Sequence, residues 1–148
     1  MMADKTGDQS KHRPFILVVD DEEAIVEIIE MSLRREQYTV IRALCGTEAL
    51  SAVERSRPDL VLLDYALPDA NGLDVLKQVK DTDPDTLVIM LTANTEVGVA
   101  VEAMKTGADD YLVKPVALDE IALLLERLSS QSQIETSLSY FVEKEERR

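Results

Sequence analysis

Phe15-Ile16-Leu17-Val18-Val19-Asp20-Asp21-Glu22 is an unbroken aliphatic run that ends on three acids. Its apolar half does not alternate with polar residues, so both faces need cover, as in a parallel strand lying between helices. The same pattern recurs along the chain. Leu60-Val61-Leu62-Leu63 runs into Asp64, Leu87-Val88-Ile89-Met90-Leu91 into Thr92-Ala93, and Tyr111-Leu112-Val113 into Lys114-Pro115. A weaker run, Tyr38-Thr39-Val40-Ile41, is broken by Arg42 and reads as an edge strand.

Helical spacing fills the intervals. Ala24, Ile25, Ile28, Ile29 and Leu33 form one stripe, and Ala49, Leu50 and Val53 a second, with Thr47 as its expected cap. Asn71-Gly72 is a turn signal ahead of Leu73, Leu76 and Val79. Val97, Val101 and Met104 make a further stripe that Gly107 stops, and Asp119 opens the last, with Ile121, Leu124, Leu125 and Leu128. Strand and helix thus alternate five times. With right-handed crossovers the leading fold is α/β, a doubly wound five-stranded parallel sheet.

The 148 residues suit one domain plus tails, and with 45% hydrophobic but only 4% aromatic residues the core is aliphatic. Residues 1–13 are polar and read as a disordered leader, 14–128 as the domain, and 129–148 as a linker helix or tail. No stretch approaches the roughly 18 apolar residues of a membrane helix. The single cysteine, Cys45, rules out an intrachain disulfide framework and suits the cytoplasm. A net charge of −13 argues against nucleic acid and anionic membranes as direct partners.

Parallel strands place their carboxyl ends side by side, where open α/β sheets carry their sites. Asp20, Asp21, Asp64, Thr92 and Lys114 would then share one pocket. Three crowded carboxylates raise one another's pKa, and a divalent cation relieves the repulsion, Mg²⁺ being the best fit to oxygen ligands of this kind. Asp64, alone at the end of its strand, can act as a nucleophile that forms an acyl phosphate. Lys114 supplies a fixed cation and Thr92 a hydroxyl donor for the transferring group.

Taken together these residues resemble the receiver domain of a two-component response regulator. Asp20 and Asp21 match the acidic pair, Asp64 the phosphoacceptor, Thr92 the switch hydroxyl and Lys114 the lysine of that family. Tyr111, three residues before Lys114, matches the switch aromatic, Pro68 and Gly72 match the turn after the phosphoacceptor, and Lys114-Pro115 resembles a cis peptide of the family. The resemblance covers about Pro14 to Leu128. It implies a (βα)5 flavodoxin-like sheet in strand order 2-1-3-4-5, with a helical extension beyond. It also implies Mg²⁺ bound by Asp21, by Asp64 and by the backbone carbonyl of Ala66, with Asp20 acting mainly through water. The donor would be a sensor histidine kinase, and the chain would be a phosphoacceptor, not an enzyme, though one that assists its own phosphorylation and dephosphorylation. Ala66 and Asn94 occupy the positions that tune hydrolysis of the acyl phosphate in that family. A side chain as small as Ala66 cannot orient an attacking water, which implies a long-lived phosphorylated state.

Taken singly, these residues have plainer readings. Asp20 alone is a helix cap, Lys114 a solvated lysine, Thr92 a turn residue and Tyr111 a half-buried strand aromatic. His12, the only histidine, lies in the leader and reads as inert. The output is less legible. The face spanning Glu96 to Leu128 carries more apolar residues than one buried stripe needs, so it is one candidate surface for a homodimer, and the C-terminal tail is the other. Ser130 to Arg148 resembles the linker that joins receivers to an ATPase in NtrC-like transcription activators. A free-standing receiver acting as a phosphorelay carrier or partner-binding module is the alternative. An aspartyl-phosphate phosphatase of the haloacid-dehalogenase kind fits worst, because its two acids stand two apart on the first strand.

Overall fold

In the computed structural model, which describes residues 14–93 and 97–128, the five apolar runs are five strands. They are β1 (Phe15–Val19), β2 (Thr39–Ala43), β3 (Leu60–Asp64), β4 (Leu87–Thr92) and β5 (Asp110–Val113). All pair in parallel, in the order β2-β1-β3-β4-β5. The sequence order reverses direction between β1 and β3, which opens a crevice at their carboxyl ends. Val19 lies beside Ala43 and Leu63, Asp64 beside Leu91, and Thr92 beside Val113. That register brings the residues that close β1, β3, β4 and β5 to one edge of the sheet.

The expected aliphatic core is present. Ile16 to Val19, Leu60 to Leu63 and Val88 to Leu91 are buried throughout. On one side Leu17, Val19, Val61, Leu63, Val88 and Met90 join a cluster with residues of three helices. These are α2 (Gly46–Ser56), through Ala49 and Val53, α3 (Gly72–Thr82), through Val75, Leu76 and Val79, and α4 (Val97–Thr106), through Ala103. A further helix, α1 (Glu23–Arg35), packs along β1 and β2 and buries Val26, Ile29 and Leu33. Each fully buried Leu or Ile contributes about 1.5–3 kcal/mol.

Four helical expectations need correction. In α1 the buried stripe is Val26, Ile29 and Leu33, while Ala24 and Ile28 face solvent. In α4 the stripe through Val101 and Met104 points outward at 49% and 44% exposure, and Ala100 and Ala103 are buried instead. Small residues let this helix approach the sheet closely, so the larger side chains are left outside. In α2 Thr47 does not cap: the helix begins at Gly46, its N-cap is Cys45, and no side chain of that residue bonds the first turn. The last helix begins at Leu118, one residue before the expected Asp119, while two other boundaries stand. Asn71 caps α3 by accepting from Leu73 N at 2.7 Å, and Gly107 ends α4 at φ +122°, a conformation that favours glycine.

A second compact unit begins at Ala117. It contains α5, residues 118–128, in which Ile121, Leu124 and Leu125 are buried. The leader at 1–13, with His12, lies outside the described residues, as do Asn94, Glu96 and the tail at 129–148. Among the described residues no helix is long and apolar enough to cross a membrane.

Candidate functional site

Asp20 leaves the end of β1 fully buried, and both of its oxygens are engaged. Oδ1 accepts from Glu22 N at 3.0 Å, at the entrance to α1, and Oδ2 accepts from Lys114 Nζ at 2.9 Å. The bond to Glu22 N closes a turn ahead of the helix and does not cap it, because Glu22 is itself the N-cap of α1 and receives no side-chain cap bond. Asp64, 5% exposed at the end of β3, lies 3.2 Å from the same ammonium through Oδ1. Lys114 follows β5, and its backbone N–H donates to the Thr92 carbonyl at 2.7 Å, which ties the ends of β4 and β5 together. The Lys114–Pro115 bond is cis.

Asp21 differs from its neighbour. It is exposed, and among the described residues it makes no side-chain hydrogen bond. One carboxylate oxygen from each of Asp20, Asp21 and Asp64 can be chosen so that all lie within 4.8 Å of one another. Three carboxylates set against one ammonium leave two negative charges uncompensated. Burial, followed by the Asp20 charge, pushes the Asp64 carboxyl up to about 6, although Lys114 and the Ala66 N–H pull the other way. Burial pulls the Lys114 ammonium down, but its hydrogen bond to Asp20 and the charges of Asp64 and Asp20 outweigh that and leave it raised.

This donor set fits a hard divalent cation. All three ligands are oxygens, among the described residues Asp21 has both of its own free, and the excess charge is negative, as Mg²⁺ requires. Ala66 is adjacent, since its backbone N–H is close enough to the Asp64 carboxylate to lower its pKa. Thr92, the last residue of β4, is 1% exposed, and Tyr111 in β5 points outward at 39% exposure. Cys45 is a free thiol of intermediate burial.

Sequence reasoning missed one participant. Asp69, in the loop between β3 and α3, accepts from Gly46 N at 2.7 Å, from Thr47 N at 3.0 Å and from Thr47 Oγ1 at 2.8 Å. It supplies the cap that Cys45 and Thr47 do not. Pro68-Asp69 signals a turn, but nothing local points to a helix start 23 residues earlier in the chain.

Fold and site define a doubly wound α/β protein with an acidic, lysine-bridged centre at its topological switch point. The chain belongs to the response regulator receiver domain family, whose model matches residues 16–126. It is 40% identical over 119 residues to the alkaline phosphatase synthesis transcriptional regulatory protein PhoP of Bacillus subtilis, covering 80% of this chain and 50% of PhoP. It is 43% identical over 106 residues to the response regulator MprA of Mycobacterium leprae, covering 72% of this chain and 46% of MprA. Overall the chain spans about half the length of the curated relatives it matches. Among solved structures it superposes on NtrX from Brucella abortus with a TM-score of 0.81 and 32% identity, over 86% of this chain and 29% of NtrX. A CheY-like receiver domain protein from Methanospirillum hungatei gives a TM-score of 0.76 and 32% identity, over 82% of this chain and 98% of that one. These neighbours share the flavodoxin-like order of five parallel strands.

Proposed function

We propose that this receiver is a phosphorylation-dependent switch in the cytoplasm, in which Asp64 takes a phosphoryl group from the phosphohistidine of a sensor histidine kinase. One observation carries the reading. A single ammonium, Lys114 Nζ, lies 2.9 Å from Asp20 and 3.2 Å from Asp64, with the unengaged Asp21 beside them. Above about pH 6 Asp64 is ionised and can attack. Its carboxylate oxygen forms the new bond to phosphorus as the phosphorus–nitrogen bond of the donor breaks, the bond pair stays on that nitrogen, and the ring leaves as neutral imidazole with the proton it already carries on its other nitrogen.

Asp21, Asp64 and the Ala66 backbone carbonyl would hold Mg²⁺, with Asp20 contributing through water. The ion supplies charge neutralisation for the transferring group. Lys114 keeps the second charge in check, and the Thr92 hydroxyl donates to a phosphoryl oxygen. Drawing Thr92 toward that oxygen opens space for the outward Tyr111 to turn in. The phosphoryl group thereby favours a pre-existing arrangement over the resting one.

The activated receiver then forms a homodimer through the segment Glu96 to Leu128, in which Val101, Met104, Tyr111 and Val113 are exposed, or through the C-terminal tail. We read it as the regulatory part of a transcription regulator, which fits relatives that carry about as much chain again. Incubation with acetyl phosphate and Mg²⁺ tests the chemistry. The protein gains the mass of one phosphoryl group, and Asp64→Ala gains none; equal labelling of the two would end this reading. Light scattering with Mg²⁺ and beryllofluoride tests the output. A doubling of mass that needs Asp64 supports the switched dimer, and an unchanged monomer points to a carrier or partner-binding module.

A further inference from the structure

We infer that Asp69 is a positioning residue for this site: its carboxylate fastens the loop after Asp64 to the first turn of α2 and so holds the Ala66 backbone against the phosphoacceptor. The inference rests on Asp64 being that phosphoacceptor. The loop, residues 65–71, is anchored at both ends. Tyr65 N donates to Leu91 O at 2.9 Å, Gly72 N donates to Tyr65 O at 2.8 Å, and Ala66 bridges to Asn71. A Cβ at Gly72 would lie 2.6 Å from Tyr65 Cα, so the two ends meet with no space between them.

The stretch between those ends is tied down through Asp69, which binds a segment 22–23 residues earlier in the chain. Three donors converge on its carboxylate, two of them first-turn amides at the positive end of the α2 dipole. They hold the carboxyl down at about 2, with the Gly46 amide the leading cause, so the clamp stays charged at any ordinary pH. Three residues before Asp69, the Ala66 N–H is close enough to the Asp64 carboxylate to lower its pKa, and the Ala66 carbonyl is the proposed metal ligand. Releasing Asp69 frees the loop to carry both groups away from Asp64. Because Asp69 is exposed, its loss should reach the site more than the core.

The experiment compares wild type, Asp69→Ala and Asp69→Asn by calorimetric titration with Mg²⁺ alone, by amide hydrogen exchange without metal, and by thermal melting. If the released loop is competent about a tenth of the time, Asp69→Ala raises the Mg²⁺ Kd about tenfold. Asp69→Asn keeps one carbonyl oxygen and falls between the two. In the metal-free protein the Ala66 amide exchanges faster in both variants. Unchanged Mg²⁺ affinity with faster exchange at Gly46 and Thr47 only would overturn the inference and leave Asp69 as a cap of α2. If Asp69→Ala does not fold, Asp69→Asn and Thr47→Val decide by the same criteria. Failure of the phosphoacceptor reading looks different. The wild type itself would then bind no Mg²⁺, and Ala66 exchange would alone decide whether the clamp acts.

Discussion

Replacing Asp64 with asparagine should stabilise the metal-free protein. The carboxyl stands near 6 in the folded chain against 3.8 for the free side chain, driven by burial and then by Asp20. The native state therefore keeps this proton where the unfolded state has already lost it. Stability falls as pH rises from about 4 to about 6, and the loss persists above that window. At 1.36 kcal/mol per pKa unit the difference is about 3 kcal/mol, and screening by water at the exposed Asp21 side brings it to about 2 kcal/mol. Asparagine matches the protonated carboxyl in shape and carries no charge. In EDTA at pH 7.5 the Asp64→Asn protein is expected to be about 2 kcal/mol more stable, or to melt roughly 6 °C higher for a domain of this size. At pH 4 the two proteins should nearly coincide. Urea denaturation of both across this pH range gives a difference curve from which carboxylates remote from Asp64 cancel, including Asp69 and Glu30, whose values are lowered. Saturating Mg²⁺ narrows the gap by stabilising the wild type. A flat difference curve, or a variant less stable at pH 7.5, would refute the view that Asp64 is held under electrostatic stress.

Lys114→Ala should still be phosphorylated on Asp64 but switch poorly. Raising an active state from about 1% to 99% takes about 5.5 kcal/mol, and one charge-assisted hydrogen bond supplies about 1.5–3 kcal/mol. At the upper figure the activated fraction drops to about 40%, and a phosphorylated variant that dimerises as fully as wild type would contradict this. Ala66→Asn should shorten the life of the acyl phosphate by placing a side chain able to orient water beside Asp64, measured as phosphate release; an unchanged half-life would count against that role. Gly72→Ala should cost about 1–3 kcal/mol or more by overpacking, because the new Cβ would meet the Tyr65 backbone at 2.6 Å. A melt within 1 °C or so of wild type would show that the loop gives way without cost.

Much of the fold was legible because its signals are local. An uninterrupted run such as Leu60 to Leu63 can be satisfied only by cover on both faces, and the polar residue that ends it marks the edge of the sheet. Helix faces were harder to read. In α4 the apolar residues outnumber those that one stripe can bury, so periodicity alone favoured Val101 and Met104. Close approach to the sheet selected Ala100 and Ala103 instead.

The candidate site divides in the same way. The sequence by itself determined which chemical groups gather, because Asp20, Asp21, Asp64, Thr92 and Lys114 each close or follow a strand and parallel pairing brings those ends together. What each group is free to do was decided only by the tertiary structure. Asp20 and Asp21 are adjacent and chemically identical, yet one is buried with both oxygens engaged and the other is exposed and open to a ligand. The Asp69 clamp joins residues 22–23 positions apart, and the outward Tyr111 depends on how the edge strand β5 is covered. Such contacts arise between segments distant along the chain, and their geometry comes from packing that no local pattern encodes.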